Sequence, residues 1–196
     1  QKWIVGYSDT TIIQSHLVNL EVASIHGTMA FQFTKHEEAT ESLRKVLFGD
    51  KQEYETESHK LNRVGEAKAE VVGGNLSLLY ALSGSHSDID TKGKILFLED
   101  LDEYLYHVDR MMLQLKRSGK LKNLKGLIVG GMSDMKDNAI PFGKTAEEII
   151  WDAVKEYKYP VCFNFPAGHI ERNLAFYIGK TANLKVDKKG TELFYL

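Results

Sequence analysis

Apolar and polar positions alternate along the chain in blocks that switch between the period of a strand and that of a helix. Residues 2–7 are a short β-prone run ending in Gly6-Tyr7-Ser8-Asp9. Asp9, Thr10 and Thr11 suit a helix start, and Ile12, Ile13, Leu17, Val18 and Leu20 follow as its apolar positions. This predicts strand, tight turn, helix. Residues 37–48 predict a second helix closed by Gly49. The stretch 50–68 is polar, with Glu53, Glu55, Glu57 and Lys60, and reads as a linker or an exposed hairpin. Ala69-Glu70-Val71-Val72 opens a new segment, in which Gly73-Gly74 predicts a turn and Asn75 a helix cap. Residues 94–98 predict a strand. An amphipathic helix follows, with apolar positions Leu101, Tyr104, Leu105, Val108, Met111, Met112 and Leu115 and a stop at Gly119. Residues 126–131 and 160–165 predict strands, Thr145-Ala146-Glu147-Glu148 fits a capping box, and 182–188 with 191–196 reads as a closing hairpin.

Strands alternating with helices predict an α/β chain. Residues 1–50 are too few for a sheet domain of their own and are expected to be the end of an N-terminal, parallel-sheet α/β domain. Residues 51–68 would then be a linker and 69–196 a mixed α/β C-terminal domain. The chain starts at Gln1, without Met and inside a strand, so the first domain is expected to lack its opening portion.

Composition narrows the function classes. Of 196 residues, 43% are hydrophobic and 27% charged, with 25 Lys+Arg against 27 Asp+Glu for a net charge of −2. That apolar fraction is too high for a disordered chain. The balanced charge gives no electrostatic footprint for nucleic acid, and no run approaches the roughly 20 apolar residues of a membrane span. The single cysteine, Cys162, excludes an internal disulfide or a Cys-rich zinc site and suits a reducing compartment.

The turn at Gly6-Tyr7-Ser8-Asp9-Thr10 is the first candidate for chemistry. A serine on a sharp strand-to-helix turn exposes its hydroxyl and aims the next backbone N–H at a developing oxyanion. Thr10 stands where the usual Gly-x-Ser-x-Gly elbow has its second glycine, and the same residues could simply cap the helix. A nucleophilic serine needs a base. Seven histidines are available. His36, His59 and His107 fall among polar positions, His16 suggests a packing role, and His26 suits either a structural position or a cleft wall. His169, ending Phe165-Pro166-Ala167-Gly168-His169 just past a strand, has the most favourable position, since side chains of open α/β sites gather beyond strand carboxyl ends. Glu99-Asp100 also follows a strand. Either residue can open the next helix, or a carboxylate there can orient an imidazole. No metal-ligand spacing and no phosphate loop occurs, Gly73-Gly74-Asn75 and Gly130-Gly131 included.

Taken in order, several of these segments resemble the LD-carboxypeptidases, serine peptidases grouped with the microcin-C self-immunity peptidases. The matching pieces are Gly6-Tyr7-Ser8-Asp9, His26-Gly27, Gly73-Gly74-Asn75-Leu76-Ser77-Leu78, Phe97-Leu98-Glu99-Asp100 with Asp109-Arg110-Met111, and Pro166-Ala167-Gly168-His169 with Asn173. Thr28 departs from the proline usual after His-Gly. The resemblance implies Ser8 as nucleophile, Glu99 as orienter, His169 as base and the Asp9 amide as one oxyanion donor, with Gly73, Gly74 and Asn75 on the substrate side. It implies a cytoplasmic homodimer that releases D-alanine from a murein-derived tetrapeptide without metal or other cofactor, and without nucleic-acid or membrane partners. A second oxyanion donor would belong to the absent opening portion, so this chain alone is expected to be inactive. The alternatives are a microcin-type peptidase acting on peptidyl or aminoacyl nucleotides, for which Trp151 is a candidate stacking indole, and a non-catalytic peptide-binding relative.

Overall fold

The computed structural model describes residues 2–195. In chain order its strands are β1 (Val5–Gly6), β2 (Ser24–His26), β3 (Glu53–Glu57), β4 (Gly65–Asn75), β5 (Ile95–Leu101), β6 (Gly126–Ser133), β7 (Val161–Cys162), β8 (Phe176–Ile178), β9 (Lys180–Val186) and β10 (Gly190–Tyr195). The helices are α1 (Thr11–Asn19), α2 (Glu37–Phe48), α3 (Leu76–Ala81), α4 (Leu105–Arg117) and α5 (Ala146–Val154). Seven strands make a mixed sheet in the order β3-β10-β9-β4-β5-β6-β7, and three make a smaller one in the order β1-β2-β8.

Strands β4 to β7 run parallel. Strands β5 and β6 read as apolar runs because both of their faces are covered. Ile95, Leu96, Phe97 and Leu98 of β5 are almost wholly buried, as are Leu127, Ile128 and Val129 of β6. Helix α4 supplies Leu105, Val108, Met111, Met112 and Leu115 to this core, close to the predicted stripe. Leu101 instead belongs to β5, and Tyr104 is the residue before the helix. Helix α5 begins at the predicted capping box of Thr145 and Glu148. Trp151 packs partly buried against the core under the Arg63 guanidinium. A second small core of Ile25, Leu43, Val46, Ala175 and Tyr177 joins α2 to the three-stranded sheet.

Five local expectations change. The polar stretch from 50 to 68 contains β3 and the start of β4, and β3 is the edge of the large sheet beside β10. Only Tyr54 of β3 is buried, while Glu53, Glu55 and Glu57 face solvent. Charges suit an edge strand because they oppose further pairing. Ile12 and Ile13 of α1 and Leu20 just after it are 42%, 52% and 59% exposed. The buried face is Thr11, Gln14, Ser15 and Val18. Polar residues win there because the Gln14 amide donates to the carbonyls of Gly6 and Ile25, at 3.2 and 2.9 Å, and joins the ends of β1 and β2. Gly73-Gly74 does not turn; both lie inside β4. Glu99 and Asp100 are still within β5 rather than after it. The predicted strand over 160–165 keeps only the two residues of β7.

Candidate active site

The parallel strands β4, β5, β6 and β7 direct their carboxyl ends to one edge, where open α/β folds hold their sites. Ser8 follows β1 with φ +58°, a left-handed conformation that costs a non-glycine residue about 1–2 kcal/mol. Such strain is found where a side chain must be held in an unusual direction. Ser8–Thr10 form a 3-10 turn that runs straight into α1. The Thr10 N–H returns to the Tyr7 carbonyl at 3.2 Å, and the Asp9 N–H has no such acceptor among the described residues. Ser8 is half-buried and Asp9 exposed.

Glu99 lies where the pairing of β5 with β6 slips between Leu98 and Asp100. Its side chain is fully buried. Its Oε2 accepts the His169 ring Nδ1 at 2.7 Å and the His169 backbone N–H at 3.1 Å. A carboxylate can only accept, so Nδ1 carries the hydrogen and Nε2 is left with its lone pair. The His169 side chain is 14% exposed, enough to be reached from outside. Burial alone would lower its pKa. The hydrogen bond and charge of Glu99, with the charges of Asp100 and Asp9, outweigh burial and raise it. Gly168 makes the pairing possible: at φ +108°, a Cβ there would lie 2.7 Å from Glu99 Cβ and Oε2.

Ser8 Oγ and His169 share no hydrogen bond among the described residues. Tyr7, the residue before Ser8, meets the imidazole edge-on at 4.8 Å between ring centroids. Hydrogen bonds of this kind commonly tighten only when substrate binds.

Asp100 faces α3. It accepts from Asn75 Nδ2 at 2.8 Å, and from the backbone N–H groups of Ser77 and Leu101 at 2.9 Å each. Burial pushes its carboxyl up to about 6, against those three bonds and with the help of the Glu99 charge. Asn75 caps α3 as expected, its Oδ1 accepting from Leu78 N and Ser77 Oγ. Gly73 and Gly74 allow close approach: a Cβ at Gly73 would overlap the Phe97 carbonyl, and one at Gly74 would lie 2.5 Å from Thr11 Oγ1.

Of the remaining histidines, His16, His36, His59 and His107 make no hydrogen bond or ring contact with the Glu99–His169 pair among the described residues. His16, expected to pack, is exposed and meets Ser87 Oγ at 3.1 Å. His36, His59 and His107 are partly exposed, and His107 pairs with Glu103 on the surface of α4. His26 is buried beside the site and hydrogen-bonded to Asn173 at 2.9 Å. From the sequence, His26 suits a structural position or a cleft wall, Glu99 and Asp100 are not told apart as helix starters or imidazole partners, and Asn173 stands out only as part of the family motif. Two consecutive acids closing the apolar run Ile95-Leu96-Phe97-Leu98 were the available signal for a buried carboxylate pair. Among the described residues no three His, Cys, Asp or Glu side chains are grouped to hold a metal, and no helix is long and apolar enough to cross a membrane.

A mixed α/β fold in which the residue before a left-handed serine turn touches a buried carboxylate–imidazole pair has the form of a hydrolase site. Residues 68–184 match the LD-carboxypeptidase C-terminal domain, and the chain belongs to the LD-carboxypeptidase family. It is 33% identical over 195 residues to a probable murein peptide carboxypeptidase of Bacillus subtilis, covering 94% of this chain and 60% of that protein. The crystal structure of muramoyltetrapeptide carboxypeptidase from Oxalobacter formigenes superimposes with a TM-score of 0.90 at 27% identity, over 99% of this chain and 68% of that one. MccF in complex with glutamyl sulfamoyl guanosine shares the fold, with a TM-score of 0.83 at 20% identity, over 100% of this chain and 68% of that one. The chain thus spans about 60% of the length of its curated relative.

Proposed function

We propose that this chain carries the reacting groups of a serine peptidase that hydrolyses an L–D peptide bond and releases terminal D-alanine from a murein tetrapeptide. The observation that carries the reading is the Glu99–His169 pair set beside the strained Ser8 turn. Ser8 Oγ attacks the carbonyl carbon while its proton passes to His169 Nε2. The C–N bond breaks, and that proton leaves on the D-alanine amine. Water then attacks the Ser8 ester, giving a proton to His169, and Oγ recovers it as the ester opens. Glu99 holds the ring and stabilises the imidazolium. The unengaged Asp9 N–H suits one oxyanion donor.

Gly73, Gly74 and Asn75 act on the substrate side through backbone position, because both polar atoms of the Asn75 side chain are already engaged. The proposal includes a cytoplasmic setting, supported by a single buried free cysteine, and a homodimer, which rests on the family resemblance alone. The test is release of D-alanine from murein tetrapeptide by the full natural protein. Wild type releases it and Ser8→Ala does not. No release by wild type, or undiminished release by Ser8→Ala, refutes the reading. Cleavage of an aminoacyl sulfamoyl nucleotide in its place would favour the microcin-type alternative.

A further inference from the structure

One buried titratable side chain next to the site has no part in that mechanism. His26, at the end of β2, is 1% exposed. Its ring stacks on Phe176 at 4.8 Å, meets Phe97 edge-on at 5.1 Å and lies 5.8 Å from the Tyr7 ring. Its Nε2 is 2.9 Å from Asn173 Oδ1, and the same oxygen accepts the Gly168 backbone N–H at 2.9 Å.

These contacts determine the protonation of the ring. A backbone N–H can only donate, so the Asn173 atom facing Gly168 is the oxygen. That oxygen also faces His26, so Nε2 must carry a hydrogen and Nδ1 must not. Nδ1 is buried without a hydrogen-bond partner among the described residues. A second proton would therefore have no acceptor, and charging the ring would be costly. Burial lowers the pKa of His26 accordingly, against the charge of Glu99 and the Asn173 bond and with the charge of His169. His26 stays neutral and leaves Glu99 to His169 alone.

Its neighbours are the residues just before the two reacting ones. Tyr7 precedes Ser8, and Gly168 precedes His169. We propose that neutral His26, acting through Asn173 on Gly168 and by ring contact on Tyr7, is a positioning residue that sets the His169 loop against the Ser8 turn across the two sheets. Its catalytic meaning rests on the serine-peptidase reading; its geometry does not.

The test needs no substrate. In the 15N-labelled chain, long-range imidazole spectra are recorded from pH 5 to 8. His26 is expected to remain neutral with its hydrogen on Nε2, and His169 to carry one on Nδ1. His26→Phe keeps the ring packing and loses the bond to Asn173, so the His169 titration midpoint should move down. His26→Gln, whose amide can donate to Asn173 Oδ1, should restore it. Where His26→Phe does not fold, Asn173→Ala and the wild-type tautomer decide. A His26 hydrogen on Nδ1, protonation of His26 within that range, or an unmoved His169 midpoint in a folded variant overturns the proposal. Failure of the D-alanine assay would leave these spectra unchanged, so the two ideas fail separately.

Discussion

Replacing Asp100 by Asn separates what the buried carboxyl costs from what its hydrogen bonds contribute. Asp100 is 1% exposed and accepts three N–H groups, from Asn75, Ser77 and Leu101. Burial still takes its carboxyl from 3.8 to about 6. The folded chain thus keeps this proton to a higher pH than the unfolded chain. Between those two values the folded state binds more protons, and stability falls as pH rises. About two pH units correspond to about 3 kcal/mol, fully present below 3.8 and gone above about 6. Asn has no proton to lose. Its amide turns N–H toward a donor that Asp100 had accepted, costing about 1–3 kcal/mol at every pH.

The difference in unfolding free energy between wild type and Asp100→Asn should therefore shrink by about 3 kcal/mol from about pH 4 to pH 7.5. Wild type leads at acid pH, and the two nearly meet at neutral pH, where the losses are of similar size. Urea unfolding across a pH series measures this, and taking the difference removes every group the two proteins share. A flat difference, or one that grows with pH, would refute the buried-carboxyl reasoning. Lost hydrogen bonds alone predict the flat line.

Three further outcomes follow from the Glu99–His169 pair. Glu99→Gln removes the charged acceptor and allows the wrong tautomer, so the His169 midpoint should fall and D-alanine release by the full protein should drop by a factor on the order of 10³–10⁴. A neutral His169 is needed as base, so release should rise with pH through a midpoint above the ordinary imidazole value of 6.5, read from kcat/KM. A midpoint below it would contradict the pairing. Gly168→Ala forces a Cβ to within 2.7 Å of Glu99 at a positive φ. It should destabilise by about 1–3 kcal/mol in thermal unfolding and lower the His169 midpoint as Glu99 is pushed aside.

How much of this was visible beforehand depended on how far along the chain each feature reaches. The α5 capping box joins Thr145 to Glu148 and the α2 stop is one left-handed glycine, so both could be read locally. The Ser8 turn is just as local. The burial face of α1 was not, because Gln14 is drawn inside by the carbonyl of Ile25, which belongs to another strand. Glu99 becomes a partner for His169 only through the fold, because the pair is 70 positions apart. His26 and Asn173 are 147 apart. Residue type alone does not distinguish a structural histidine from a reacting one. The difference lies in the acceptor each ring faces: a carboxylate at His169, which favours the cation, and an amide oxygen at His26, which fixes the tautomer but cannot offset the cost of a buried charge. Two histidines in one site can therefore take opposite protonation behaviour without competing for Glu99.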